Sequence, residues 1–144
     1  MLPFMGYNMS DYFQHWLNLG EQLKAKSHPL PAIFCVNWFR KTEQGQFAWP
    51  GYGENMRVLK WMIDRLEGKA KGRENIFGIS PNYDEINWTG LNYSDTQFQQ
   101  VMHIDPMAWR EELKLHEALF AQLAYHLPAE LPATQAAMAS RLVA

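Results

Sequence analysis

Phe34 to Asn55 reads Phe-Cys-Val-Asn-Trp-Phe-Arg-Lys-Thr-Glu-Gln-Gly-Gln-Phe-Ala-Trp-Pro-Gly-Tyr-Gly-Glu-Asn. Two apolar arms flank a polar turn. Ile33 to Phe39 is a near-continuous apolar run rich in aromatic and β-branched residues, which predicts a buried strand. Arg40 to Gln46 is polar and holds Gly45, so it reverses the chain. Phe47-Ala48-Trp49 is the return arm. Pro50 and Gly51 end it, because proline cannot donate to a ladder and glycine admits φ > 0. Tyr52 to Asn55 then runs into an amphipathic helix. The predicted fold class is α+β: mostly helical, with a small sheet around the 33–49 hairpin.

Four rings (Phe39, Phe47, Trp49, Tyr52) and the Asn55 amide are thereby gathered around one reversal. Rings of this kind most often form ordinary core. The same grouping also suits a pocket for a flat heterocycle. Each aromatic face stacks on a base for roughly 1–3 kcal/mol, and an amide carries both a donor and an acceptor with which to read a base edge. Gly53 lets backbone approach a ligand closely.

Asn37-Trp38-Phe39-Arg40-Lys41, followed by Gly45-x-Phe47-x-Trp49-Pro50-Gly51-Tyr52-Gly53-Glu54-Asn55, resembles the C-terminal part of GTP-dependent phosphoenolpyruvate carboxykinase. Upstream, Pro3-Phe4-x-Gly6-Tyr7-Asn8 and Asp11-Tyr12-x-x-His15-Trp16 are similar to the same family in order and spacing. The likeness is strong over roughly the first two thirds of the chain and weakens after about Leu91. It implies that residues 1–144 are a single segment, a C-terminal piece of the family's nucleotide-binding domain. It implies a guanine site in which Phe39, Phe47 and Tyr52 clamp the base, Asn55 contacts its edge, and Gly53 and Glu54 complete the loop. The parent would be a gluconeogenic lyase that decarboxylates oxaloacetate and phosphorylates the enolate from GTP, giving phosphoenolpyruvate, GDP and CO2. GTP or GDP would be its nucleotide, and manganese and magnesium its metals.

Composition sets outer bounds. The chain has 144 residues, 47% of them hydrophobic, enough for a core. A net charge of −2 leaves no basic face large enough to neutralise a nucleic-acid backbone. Cys35 is the single cysteine, so an internal disulfide is excluded, and its place in the apolar run predicts a buried, inert thiol. No apolar stretch approaches the roughly 20 residues that span a bilayer. The opening residues have neither the basic nor the apolar region of a secretory signal. A cytoplasmic setting is the expectation. Aromatic residues make up 14% of the chain, six of them tryptophan. So many large rings in a small chain predict that some face a ligand or an absent neighbour.

Helical spacing recurs elsewhere. Asn8 or Ser10 caps a helix bearing Tyr12, Trp16, Leu19 and Leu23, which stops at His28-Pro29. Met56, Leu59, Met62, Ile63 and Leu66 form an apolar stripe on a second helix, ended by Gly68. A charged loop, 69–75, precedes a short strand candidate at Ile76-Phe77-Gly78-Ile79. Ser80 to Tyr93 is irregular, pinned by Ile86, Trp88 and Leu91. Ser94 caps a short helix with Phe98, Val101 and Met102. Asp105-Pro106 is a helix start, and Trp109, Leu113, His116, Phe120 and Leu123 share one side of that helix. Pro132 to Val143 forms a last helix.

The catalytic vocabulary is thin. The five histidines show no i, i+4 pair and no zinc-ligand spacing, and His116 reads as a core or rim residue. Glu111 and Glu112 point apart on a helix. No G-x-S-x-G string and no G-x-x-x-x-G-K-[ST] loop occurs. In the family, the phosphate loop, manganese ligands, oxaloacetate-binding arginines and lid all lie upstream of the resembling region. The resemblance thus implies base recognition without chemical machinery, and an isolated chain without turnover. Its partners would be a guanine nucleotide and the missing N-terminal part of the same enzyme, with neither nucleic acid nor membrane. Uncovered faces, the Tyr12/Trp16 helix and the hairpin foremost, predict self-association. Two positions depart from the family. Leu2 stands where the family has a phosphate-contacting arginine, and Tyr52 replaces a frequent phenylalanine while keeping the ring. The other reading is a stand-alone, non-catalytic remnant acting as a protein-interaction or structural domain.

Overall fold

The structure, a computed structural model, describes residues 2–142, and for Leu2 the backbone alone. The contrast drawn at the Leu2 side chain and the Val143 end of the last helix lie outside the described residues. Five α-helices are described: α1 (Met9–Ala25), α2 (Asn55–Leu66), α3 (Asp95–Met102), α4 (Pro106–Gln122) and α5 (Glu130–Arg141). One antiparallel pair, β1 (Arg73–Asn75) with β2 (Gly78–Ser80), is the sheet. Short 3-10 turns cover Leu2–Phe4, Tyr52–Glu54 and Tyr83–Glu85. The α+β, mainly helical class is as expected. The chain divides into two compact units: Ala32–Ile104, and the segments up to Pro31 and from Asp105 onward taken together.

Local chemistry explains the helix boundaries. Asn8 Oδ1 accepts the backbone N–H groups of Ser10 and Asp11 at 2.8 and 3.4 Å, satisfying donors that the first turn of α1 leaves open. Asp105 does the same for α4, accepting from Met107 at 2.8 Å and Ala108 at 3.3 Å, with Pro106 at the first helical position. Ser94 and Gln97 form a reciprocal capping box on α3. In the unit containing α1, α4 and α5, Met9, Leu113, Leu123 and Leu142 are buried. Ser10 is fully enclosed there, and its hydroxyl donates to Leu123 O at 2.8 Å. Gln135 reaches from α5 to Leu113 O at 2.8 Å.

The Ala32–Ile104 unit has an aromatic core of Trp61, Ala70, Ile86, Tyr93 and Phe98, with Phe34, Tyr83, Trp88 and Leu91 packed around it. Ile86, Trp88 and Leu91 do pin the irregular 80–93 stretch. The expected stripe on α2 is a different matter. Met56, Leu59, Ile63 and Leu66 are exposed, and the residue that α2 buries is Trp61, 3% exposed. Periodicity finds an apolar face, but α2 is apolar on more than one side, and the largest ring took the core.

Ile33–Phe39 is not a strand. Residues 31–37 lie without ladder pairing, and residues 38–39 turn. A strand needs a neighbour's N–H and C=O groups, and among the described residues the hairpin contributes a single bridge, Lys41 opposite Phe47. Asn37 Oδ1 also accepts the Phe39 N–H at 3.0 Å, an Asx turn that diverts the backbone. The sheet sits instead at 73–80, and Ile76-Phe77, expected inside a strand, form its turn. Cys35 is exposed; its expected burial followed from the strand and falls with it.

Glu85 ties the sheet to the loop that follows. Its carboxylate accepts the backbone N–H groups of Lys71 (2.7 Å), Gly72 (2.8 Å) and Asn82 (2.8 Å). Desolvation pushes the Glu85 pKa up, but these three bonds more than offset it and hold the group below its ordinary value. The Trp61 indole N–H adds a weaker pull, although among the described residues it meets hydrogen-bond geometry with no acceptor. A depressed carboxylate contributes stability above its unfolded pKa of 4.5 and loses it as pH falls through the folded value. Urea unfolding of the wild-type chain should therefore shift to lower denaturant as the pH drops from 6 towards about 3. Glu85→Gln should be less stable at pH 6 by about 1–3 kcal/mol and show a flatter acid limb. An acid limb identical in both proteins would remove Glu85 from this role.

Candidate functional site: the aromatic reversal

Arg40 to Ala48 makes the tight reversal that its polar composition predicts. Thr42 N–H donates to Gln46 O (2.8 Å), Gly45 N–H to Thr42 O (2.9 Å) and Ala48 N–H to Arg40 O (2.8 Å). Gly45 takes φ +78°, which admits glycine readily. Arg40 is half-buried and not a free cation: its Nη1 donates to Val101 O (2.8 Å) and His103 O (2.6 Å) at the end of α3. It satisfies carbonyls that the helix end leaves open. Lys41 Nζ lies 5.8 Å from the centre of the Phe47 ring.

The reversal brings Phe39 and Phe47 together edge to face, centroids 6.2 Å apart at 64°. Both stay in solvent, 74% and 61% exposed. Tyr52, on its 3-10 turn, is 92% exposed and makes no ring contact among the described residues. Trp49 behaves oppositely. It is 5% exposed and packs on Trp38 (5.8 Å), Tyr93 (5.9 Å) and Trp88 (6.3 Å). The four rings of the stretch therefore divide: Trp49 is core, and Phe39, Phe47 and Tyr52 are surface. Burial pushes the Tyr93 pKa up, and its hydroxyl donates to Ala48 O at 2.8 Å, which anchors the return arm.

The turn into α2 is held by two side-chain bonds. Trp49 Nε1 donates to Asn55 Oδ1 at 2.8 Å. Glu54 pairs with Arg57 Nε at 2.5 Å, while the other guanidinium nitrogens of Arg57 donate to Asn87 O and, at 3.1 Å, to Thr89 O. Trp49 was one of the rings the sequence gathers at the reversal but not one of the clamp residues, and Arg57 was not singled out. Arg57 was legible, lying three residues beyond Glu54 on a helix. The Trp49–Asn55 bond spans an irregular turn and has no such spacing rule. Beside the site, in the same unit, is an apolar groove of ≈ 700 Å³ with Phe34, Trp38, Trp49, Trp61 and Phe98 in its walls; Phe39, Phe47, Tyr52, Gly53, Glu54 and Asn55 do not line it. Among the described residues no three His, Cys, Asp or Glu side chains gather to hold a metal ion. No described helix is long and apolar enough to cross a membrane.

Residues 1–141 match the family model described as the phosphoenolpyruvate carboxykinase C-terminal P-loop domain. The chain belongs to the GTP-dependent phosphoenolpyruvate carboxykinase family. It is 45% identical over 142 residues to the phosphoenolpyruvate carboxykinase (GTP) of Paenarthrobacter aurescens, covering 99% of this chain and 23% of that protein. The enzyme of the same name from Treponema pallidum is 44% identical over 132 residues, 91% of this chain and 21% of its own length. That of Corynebacterium jeikeium is 40% identical over 131 residues, 91% and 21%. The chain thus spans between a fifth and a quarter of the relatives it matches. The likeness that fades to the eye after Leu91 extends over the whole chain. Within the matched region this sequence still has no G-x-x-x-x-G-K-[ST] loop.

The two glycines flanking Tyr52 differ in kind. Gly51 has φ +129° and ψ −177°, a region nearly closed to residues with a Cβ. Gly53 has no such φ, and a Cβ built there meets nothing within 4 Å. Gly51→Ala should cost about 1–3 kcal/mol, whereas Gly53→Ala should be neutral or gain up to about 1 kcal/mol. Urea melts of the two variants check this, and equal losses in both would contradict it.

Proposed function

We propose that residues 1–144 act as one segment of a GTP-dependent carboxykinase and supply its guanine-recognition surface. In the parent reaction oxaloacetate is decarboxylated and the enolate takes the γ-phosphoryl group of GTP, giving phosphoenolpyruvate, GDP and CO2. One observation carries the assignment to this segment: Phe39 and Phe47 are held out of the core edge to face across the reversal, and Tyr52 is exposed on the turn that follows, three residues before the Asn55 amide. Exposing three large rings costs hydrophobic burial, and stacking on a base restores it. In this reading Asn55 contacts the base edge, Gly53 leaves room for the nucleotide, and Glu54 fixes the turn through Arg57. The manganese and magnesium of the reaction would be held elsewhere in the parent, since the donor set described here does not fit them. By itself the segment is expected to catalyse nothing.

The remaining length of the enzyme is the segment's natural partner. Ile33 and Val36 on the unpaired run, Leu59 and Ile63 on α2 and Trp16 on α1 are all exposed. A sheet contributed by the rest of the parent would complete residues 31–37 as a strand. A stand-alone interaction module is favoured by the same exposed faces, and the two readings part on whether the reading frame extends upstream into a phosphate loop and metal ligands. We place the parent in the cytoplasm, a reducing compartment that suits the free thiol of Cys35 and a nucleotide substrate.

Two outcomes are expected. At micromolar concentration the isolated chain should sediment as a dimer or larger species and bind an apolar dye; a clean monomer with no dye binding would count against uncovered faces. In the full-length enzyme Phe47→Ala should lower kcat/KM for GTP and ATP alike, because every base offers a π-face. Asn55→Ala should penalise GTP more than ATP, by about 1–3 kcal/mol for a hydrogen bond left unmade. No loss in Phe47→Ala would return the ring cluster to simple packing.

A further inference from the structure

We infer that Trp49 is a specificity-positioning residue: its indole N–H fixes the Asn55 amide so that the nitrogen, not the oxygen, faces the base. The inference rests on the guanine reading of the site. The indole N–H can only donate. Its acceptor at 2.8 Å must therefore be the amide oxygen, whichever way the two amide atoms were placed. Trp49 itself cannot turn away, because it is buried against Trp38, Trp88 and Tyr93. With Oδ1 committed, Nδ2 carries both remaining hydrogens and has no acceptor among the described residues.

An amide presenting only donors selects by chemistry. A purine with a carbonyl at C6, guanine or hypoxanthine, offers it an acceptor. Adenine offers an amino group at the same place, so donor would meet donor and a buried N–H would be left unmatched. Free to flip, the same amide could present its oxygen to adenine instead, and the discrimination would be lost. The buried indole thus sets the polarity of a side chain that could otherwise read either base.

The test uses the full-length enzyme, with kcat/KM measured for GTP, ITP and ATP. Trp49→Phe keeps a ring in the core and deletes the donor. It should lower the GTP-to-ATP ratio by about tenfold, the order expected for a lost buried hydrogen bond, with GTP and ITP falling together. Asn55→Asp leaves Trp49 and its packing untouched. It still accepts from the indole but turns an acceptor towards the base, so the GTP preference should collapse or invert. A preference kept or sharpened in Asn55→Asp would show that oxygen faces the base and would overturn the inference. If Asn55→Ala lowers the ratio while a folded Trp49→Phe leaves it unchanged, base reading by Asn55 stands and the role of Trp49 does not. If Asn55→Ala leaves the ratio unchanged, both fall. Thermal melting identifies a Trp49→Phe protein that has lost its fold, in which case Asn55→Asp decides.

Discussion

The Ala32–Ile104 unit depends on the rings packed around Trp88. That side chain stacks on Tyr83 at 5.3 Å and meets Tyr93 at 5.1 Å, Phe98 at 5.8 Å and Trp49 at 6.3 Å. Its Nε1 donates to Tyr83 O at 2.8 Å, so the polar edge of this half-buried indole is satisfied. Little regular backbone hydrogen bonding crosses this unit, whose sheet has two three-residue strands. Ring packing and a few side-chain-to-backbone bonds do what ladders do elsewhere. Tyr93 joins the return arm to α3, Arg57 joins α2 to the 86–93 loop, and Glu85 joins that loop to the chain before β1.

Phe39, Phe47 and Tyr52 gain their geometry from this frame without belonging to it. Trp49 belongs to the core, while Phe47, two residues earlier, is on the surface. An extended backbone would put them on the same side. The bend over residues 48–49 and the close of the reversal separate them. Gly51, in a conformation that side chains rarely adopt, then lifts Tyr52 clear of the core. The surface rings are therefore aimed by backbone turns, and the Asn55 amide is held by a buried indole.

Capping chemistry was legible in the sequence at Asn8, Ser94 and Asp105-Pro106, because a cap and its helix are neighbours in the chain. The reversal at 40–48 was legible for the same reason. The strand at Ile33–Phe39 was not, because β composition states only that a residue suits a ladder, while pairing requires a partner from elsewhere. With the strand went the burial of Cys35. On α2 the period was right but the face was shifted: Met56, Leu59, Ile63 and Leu66 are exposed, while Met62 packs against the core beside Trp61. At the site, the residue types that suit a base could be read from Phe39, Phe47, Tyr52 and Asn55. The orientation of the Asn55 amide could not, because it is set by a contact across an irregular turn.

The hydrogen bond from Ser10 to Leu123 O joins residues 113 apart, and the chain between them includes a whole compact unit. On a ribosome adding about 5–20 residues per second, α1 is made roughly 6–20 s before the carbonyl that its serine will meet. The Ala32–Ile104 unit is contiguous and can form during that interval. Once it has folded, the ends near Pro31 and Asp105 are no longer separated by a flexible coil, and the entropy of closing that loop is much reduced. Birth order thus favours the Ala32–Ile104 unit forming before the Ser10–Leu123 bond can close.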